Sequence, residues 1–84
     1  MNAKEYNILV DKQADAVYRF ILKCTRHQED ARDIVQDAFE KIWMSKDKIH
    51  NEKAKSYLFS TAYHTMIDRM RKVKRITALE EHHE

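Results

Sequence analysis

Glu80 and His83, in the closing stretch EEHHE, stand three residues apart. That carboxylate–imidazole spacing is the one with which helical bundles hold di-iron centres. Such a centre needs the pair on two helices and two further inward carboxylates, and the sequence offers one copy, at a terminus outside any apolar repeat. Asp47 and His50 share the spacing but fall in a polar stretch that reads as a loop. Neither His27 nor His50 has a metal-spaced partner on its own helix. No metal site is expected, and no cofactor either: glycine and proline are both absent, so no phosphate-cradling loop is available. A chain of 84 residues buries only about 60% of the surface its unfolded form exposes, which leaves no room for a deep catalytic cavity. The single Cys24 lies in an apolar-periodic run and reads as a buried thiol of a reducing compartment. An enzyme is not expected.

Two other constellations are suited to recognition instead. In DARDIVQDAFEKIW and the residue after it, about 100° per residue gathers Asp33, Gln36, Asp37, Glu40 and Met44 on one side, with Ala31, Ile34, Val35, Ala38 and Ile42 opposite. Further on, one helical face presents Tyr57, Ser60, Thr61, His64, Asp68, Arg71 and Arg75 in order. Aromatics stack on bases, small polar groups and His reach base edges, and Arg holds phosphate. Charge separates in the same way. Residues 27 to 40 hold five acids against Arg32 alone, residues 69 to 75 hold five bases and no acid, and the net charge is only +2. Such polarity points to one basic and one anionic partner. The plainer reading of each face is a solvated surface, as charged helix faces usually are.

Positioning these rows requires helices. The first is expected from about Ala3 to Thr25, with Tyr6, Leu9, Val10, Val17, Phe20, Ile21 and Cys24 in its apolar repeat and a bend near Asp11 as an option. The second is expected from Gln28 to Lys46, its ends matched to the helix dipole by Glu29, Asp30 and Lys46. DKIHNE, residues 47 to 52, is the connection, with Asn51 as N-cap of a third helix running from about Lys53 to Arg75. On that helix Phe59, Ala62, Met66, Met70 and Val73, flanked by Leu58, Tyr63 and Ile67, are expected to close the core. The fold class is all-α: a compact bundle of three helices, or four if the first bends. Residues 76 to 84 read as a frayed end or the start of a linker. The charged N-terminus has no apolar run fit for a signal peptide or membrane span, which reads as cytoplasmic.

The residues also carry a resemblance. Asp33-Ile34-Val35-Gln36-Asp37-Ala38-Phe39, followed one helix later by Tyr57 through Arg71, resembles region 2 of bacterial RNA polymerase sigma factors of the extracytoplasmic-function (ECF) class. Its members show a D-[LIV]-[LIV]-Q-[DE]-x-F core and an aromatic-L-[YF]-x-x-A-x-[NH]-x-x-x-D-x-[LM]-R run. The likeness covers about residues 10 to 75. It implies a region 2 domain over residues 1 to 75 that docks on the clamp helices of the polymerase beta-prime subunit through Asp33, Gln36, Asp37 and Glu40. Phe39 and Trp43 border that face as aromatic anchors, although core lids are the better reading of them. It further implies recognition and melting of the minus-ten promoter element on the non-template strand. Tyr57, Ser60, Thr61 and His64 would face DNA, and the loop from Lys46 to Ser56, with Lys48, Asn51, Lys53 and Lys55, would hold a flipped base. Arg69, Arg71, Lys72, Lys74 and Arg75 would supply phosphate contacts. An anti-sigma factor is a further partner the resemblance allows.

Three departures stand out. Tyr57 replaces a frequent Trp, which preserves a stacking face. His64 replaces a frequent Asn, which alters base preference and adds pH sensitivity. The family's second DNA-binding domain is absent from this chain, which reads as part of a longer protein. The rival reading is a helical interaction module with an acidic docking face and no role at DNA.

Overall fold

Asn2 starts the first helix. Its side-chain oxygen accepts from the Glu5 N–H at 2.8 Å while the Glu5 carboxylate accepts from the Asn2 N–H at 3.0 Å, a reciprocal capping box. The computed structural model describes residues 1–82, with side chains through residue 73. Helix α1 runs unbroken over Ala3–Thr25, continuous through Asp11. It ends where Arg26 turns left-handed at φ 60° and donates its N–H to Leu22 O at 2.8 Å. Helix α2 spans Gln28–Ser45 and α3 spans Ala54–His82. Among the described residues there is no strand, so the all-α class holds, and α3 continues past Arg75. No helix of the described residues is long and apolar enough to cross a membrane.

Each helix packs on the other two. The core draws Leu9, Val17 and Ile21 from α1, Ala31, Ile34, Val35, Ala38, Phe39 and Ile42 from α2, and Ala54, Leu58, Ala62 and Met66 from α3. Full burial of each large aliphatic side chain stabilises by roughly 1.5–3 kcal/mol, which makes this triangular seam the main source of stability. Tyr6, Val10 and Phe20, expected in the core, are half-buried at its border. The core face of α3 differs from expectation. Tyr63, Met70 and Val73 are exposed and Phe59 is half-buried: the buried stripe of α3 runs through Ala54, Leu58, Ala62, Thr65 and Met66, and Phe59 and Tyr63 lie beside it against Phe20. Buried Thr65 takes a place on the core side, its hydroxyl donating to Thr61 O at 2.8 Å and accepting from Lys41 Nζ at 2.9 Å. Cys24 is exposed, correcting the buried-thiol expectation: it lies in the last turn of α1, beyond Ile21, the last core residue of that helix.

The connection is more ordered than a polar loop. Lys46–Lys48 and Asn51–Lys53 form 3₁₀ turns, and between them Ile49 is buried as a plug. The Met1 ammonium donates to Lys46 O at 2.9 Å and Ile49 O at 2.8 Å, tying the start of α1 to this connection. Asn51 does not cap α3. It opens the second 3₁₀ turn, whose own cap position, His50, makes no side-chain cap bond. Lys46 lies just beyond α2 rather than in its last turn, and its ammonium sits 4.7 Å from the Trp43 ring centroid.

Candidate partner and nucleic-acid interfaces

The acidic row is held by α2, whose opposite side is fixed in the core by Ala31, Ile34, Ala38 and Ile42. Asp33, Gln36 and Glu40 are exposed, and among the described residues their side chains make no hydrogen bond or ion pair within the chain. Asp37 differs. It is half-buried, and its carboxylate stands 3.8 Å from both Lys41 Nζ and an Arg69 guanidinium nitrogen. Asp33, Gln36, Asp37, Glu40 and Arg69 together line one shallow hollow. The face is thus acidic with an amide at its centre and one cation entering from α3. Met44, on the same side, is 86% exposed.

At the α1 border the two aromatics part. Phe39 is buried, its backbone carbonyl accepting from the Tyr6 hydroxyl at 3.1 Å and its ring edge-on to Tyr6, so it is a core residue rather than a free anchor. Trp43 remains 44% exposed, propped against Tyr6 with ring centroids 4.9 Å apart. Burial, and after it the negative charge of Glu40, push the Tyr6 phenol above its ordinary value of 10.0. Tyr6, Val10, Ala14, Tyr18, Val35 and Phe39 leave an apolar groove along this border whose rim includes Gln36.

The outer face of α3 exposes Tyr57, Ser60, His64, Asp68 and Arg71. Leu58, Ala62 and Met66 anchor its inner side, and Phe20 of α1 stands against Phe59 and Tyr63 at 5.7 and 6.4 Å between ring centroids. Thr61 is not on the open row: it is half-buried, and its carbonyl accepts from Thr65. Lys72 is exposed but lines a different groove, with Thr25, Asp30, Ile34, Met66, Arg69, Met70 and Val73. Lys74 and Arg75 lie outside the residues whose side chains are described, as do Glu80 and His83. Lys48, Asn51, Lys53 and Lys55 are all exposed. Asn51 and Lys53, with Glu5, His50 and Glu52, line a hollow between the connection and the start of α1. Among the described residues no three His, Cys, Asp or Glu converge as a metal site.

Three contributors are new beside the sequence reading. Arg69 was grouped with the basic run, yet it stands four after Thr65 and three after Met66, so its helical angle falls on the core side; that spacing was the signal. Tyr6 behind Trp43 and Glu5 beside the connection join residues over 30 positions apart, and nothing in the linear spacing announces such pairs.

The family model for sigma-70 region 2 matches residues 9–76. The RNA polymerase sigma factor SigV of Bacillus subtilis (strain 168) is 34% identical over 65 residues, which is 76% of this chain and 39% of that protein. The ECF RNA polymerase sigma factor SigM of the same organism is 34% identical over 59 residues, 70% of this chain and 36% of that protein. The chain therefore spans under two fifths of the length of these curated relatives. No solved structure matches.

Proposed function

The chain belongs to the sigma-70 region 2 family, and from that premise we propose that it is the part of a transcription initiation factor that docks on the beta-prime clamp helices of core RNA polymerase and captures the minus-ten promoter strand. The observation that carries this reading is the exposed Asp33–Gln36–Glu40 row, set on a helix whose other side is locked into the core and free of partners within the described chain. An acidic face with a central amide complements a basic helical pair. Charge steers the encounter and Gln36 fixes register through hydrogen bonds. Trp43, half-exposed at the edge, supplies an aromatic contact.

The DNA role falls to the outer row of α3 and to the connection before it. Tyr57 offers a stacking face, Ser60 and His64 offer donors and acceptors for base edges, and Arg71 offers a phosphate contact. The hollow beside Asn51 is rimmed by Glu5 and Glu52, whose carboxylates suit the exocyclic amino group of an extruded base better than a phosphate. Opening a duplex costs a few kcal/mol per unstacked base, and stacking on an aromatic returns about 1–3 kcal/mol. Melting in this reading is base capture, with no bond made or broken. The role is one of specificity, not catalysis.

Calorimetric titration with an isolated clamp-helix fragment tests the docking. Binding in the micromolar range or tighter is expected, weakened by about 1 kcal/mol or more in Gln36→Ala and Asp33→Lys. Fluorescence anisotropy with a minus-ten non-template strand and a scrambled control tests the DNA role. Clamp-helix binding without any DNA preference, on the isolated chain and on assembled polymerase alike, favours the interaction-module reading.

A further inference from the structure

Arg69 belongs by sequence to the basic run RMRKVKR, but it does not share the outer row of α3. At about 100° per residue its direction falls among those of Leu58, Ala62 and Thr65. Arg69 lines the hollow formed by Asp33, Gln36, Asp37 and Glu40, and it also borders the groove that Lys72 lines. The approach to Asp37 is 3.8 Å, an ion pair rather than a hydrogen bond, since N–H···O bonds lie at about 2.7–3.2 Å. Asp37 is also 3.8 Å from Lys41, so its charge is balanced before any partner arrives. The guanidinium carries five donors in a planar fork, and among the described residues none is spent on a hydrogen bond.

Resting on the docking reading above, we propose that Arg69 is a specificity-determining residue of the docking face and not a DNA contact, and that the surface it fits carries a carboxylate beside the cations that meet Asp33 and Glu40. A partner bearing cations alone sets like charge against Arg69 and leaves its donors desolvated without acceptors, which disfavours that partner. A helix with an acid and a base one turn apart satisfies both halves of the hollow. The fork geometry favours a carboxylate taken by two parallel N–H bonds.

The test compares wild type, Arg69→Gln and Arg69→Lys in calorimetry against the clamp-helix fragment and against a lysine-rich helix of equal length without acids. In parallel, anisotropy on a single-stranded minus-ten oligonucleotide at low salt includes Arg71→Gln. Arg69→Gln is expected to weaken clamp-helix binding about fivefold or more. Arg69→Lys is expected to recover part of that loss, and the lysine-rich helix to bind Arg69→Gln more tightly than wild type. DNA affinity is expected to stay within about twofold for Arg69→Gln and to fall several-fold for Arg71→Gln. An unchanged melting temperature separates these effects from unfolding. Clamp-helix binding that is unchanged or strengthened in Arg69→Gln overturns the proposal, as does a DNA loss equal to that of Arg71→Gln. Absence of clamp-helix binding by wild type overturns the docking reading itself, a separate result because Arg69 is judged only against a wild type that binds.

Discussion

Among single side chains, Tyr6 and Thr65 join helices by polar bonds at or beside the core, and each has a measurable consequence. Tyr6 holds its proton more tightly folded than unfolded, because burial and then Glu40 disfavour the phenolate. Its folded pKa is raised, so the stability it contributes is complete below about pH 10 and is lost as pH rises through the folded value. Urea denaturation at pH 9 and pH 11 should therefore show a smaller alkaline loss in Tyr6→Phe than in wild type. At pH 7 that variant should lose about 1 kcal/mol through the missing bond to Phe39 O. Thr65→Val keeps the shape but removes the acceptor for Lys41 and the donor to Thr61, and should cost about 1 kcal/mol in the same assay. The sequence disclosed little of this. Periodicity gave Asp33, Gln36 and Glu40 their exposed face, but it assigned half-buried Thr61 to the open row and left Arg69 unplaced within the basic run. A run of like charges reads as one patch until the helical angle of each member is weighed against the core.

The helices themselves were legible because their apolar residues recur at helical spacing. Observed α1 has the expected ends, and α2 differs from expectation by one residue. The connection was not legible. DKIHNE is polar in composition, so Ile49 as a buried plug between two 3₁₀ turns is visible only once tertiary packing supplies the cavity it fills. Ile49→Ala should destabilise by about 2 kcal/mol or more and should impair any DNA capture by the Asn51 hollow beyond its effect on docking, measured by denaturation and anisotropy. The left-handed Arg26 shows the effect of lacking glycine at a helix end. Left-handed backbone costs a residue with a Cβ roughly 1–2 kcal/mol, so Arg26→Gly should raise stability by about 0.5 kcal/mol after its own entropy cost, seen as a later denaturation midpoint.

For the whole molecule, the acidic row of Asp33, Gln36 and Glu40 stands on α2 and the exposed row from Tyr57 to Arg71 on α3, so the two proposed partners meet different helices. Salt should discriminate between them. Single-strand binding should weaken with a logarithmic slope of about −0.7 per phosphate neutralised, and replacing Arg71 by Gln should reduce that slope by about one contact. Docking, with Gln36 and Trp43 contributing uncharged contacts, should fall less steeply in a titration from low to physiological salt. The charge pattern separates an acidic from a basic stretch, yet it could not show that Arg69 reaches Asp37 of α2, because that meeting of α2 and α3 exists only in the packed bundle.

The unbroken α3 also fixes a length. Tyr57 and Arg71 are fourteen positions apart on one rigid axis, about 21 Å at 1.5 Å per residue. A strand that stacks at one end and rests a phosphate at the other is measured against a gauge that the protein cannot stretch. The number of nucleotides between those contacts is then set by the helix, and a strand lengthened by one nucleotide between them must bulge or surrender a contact.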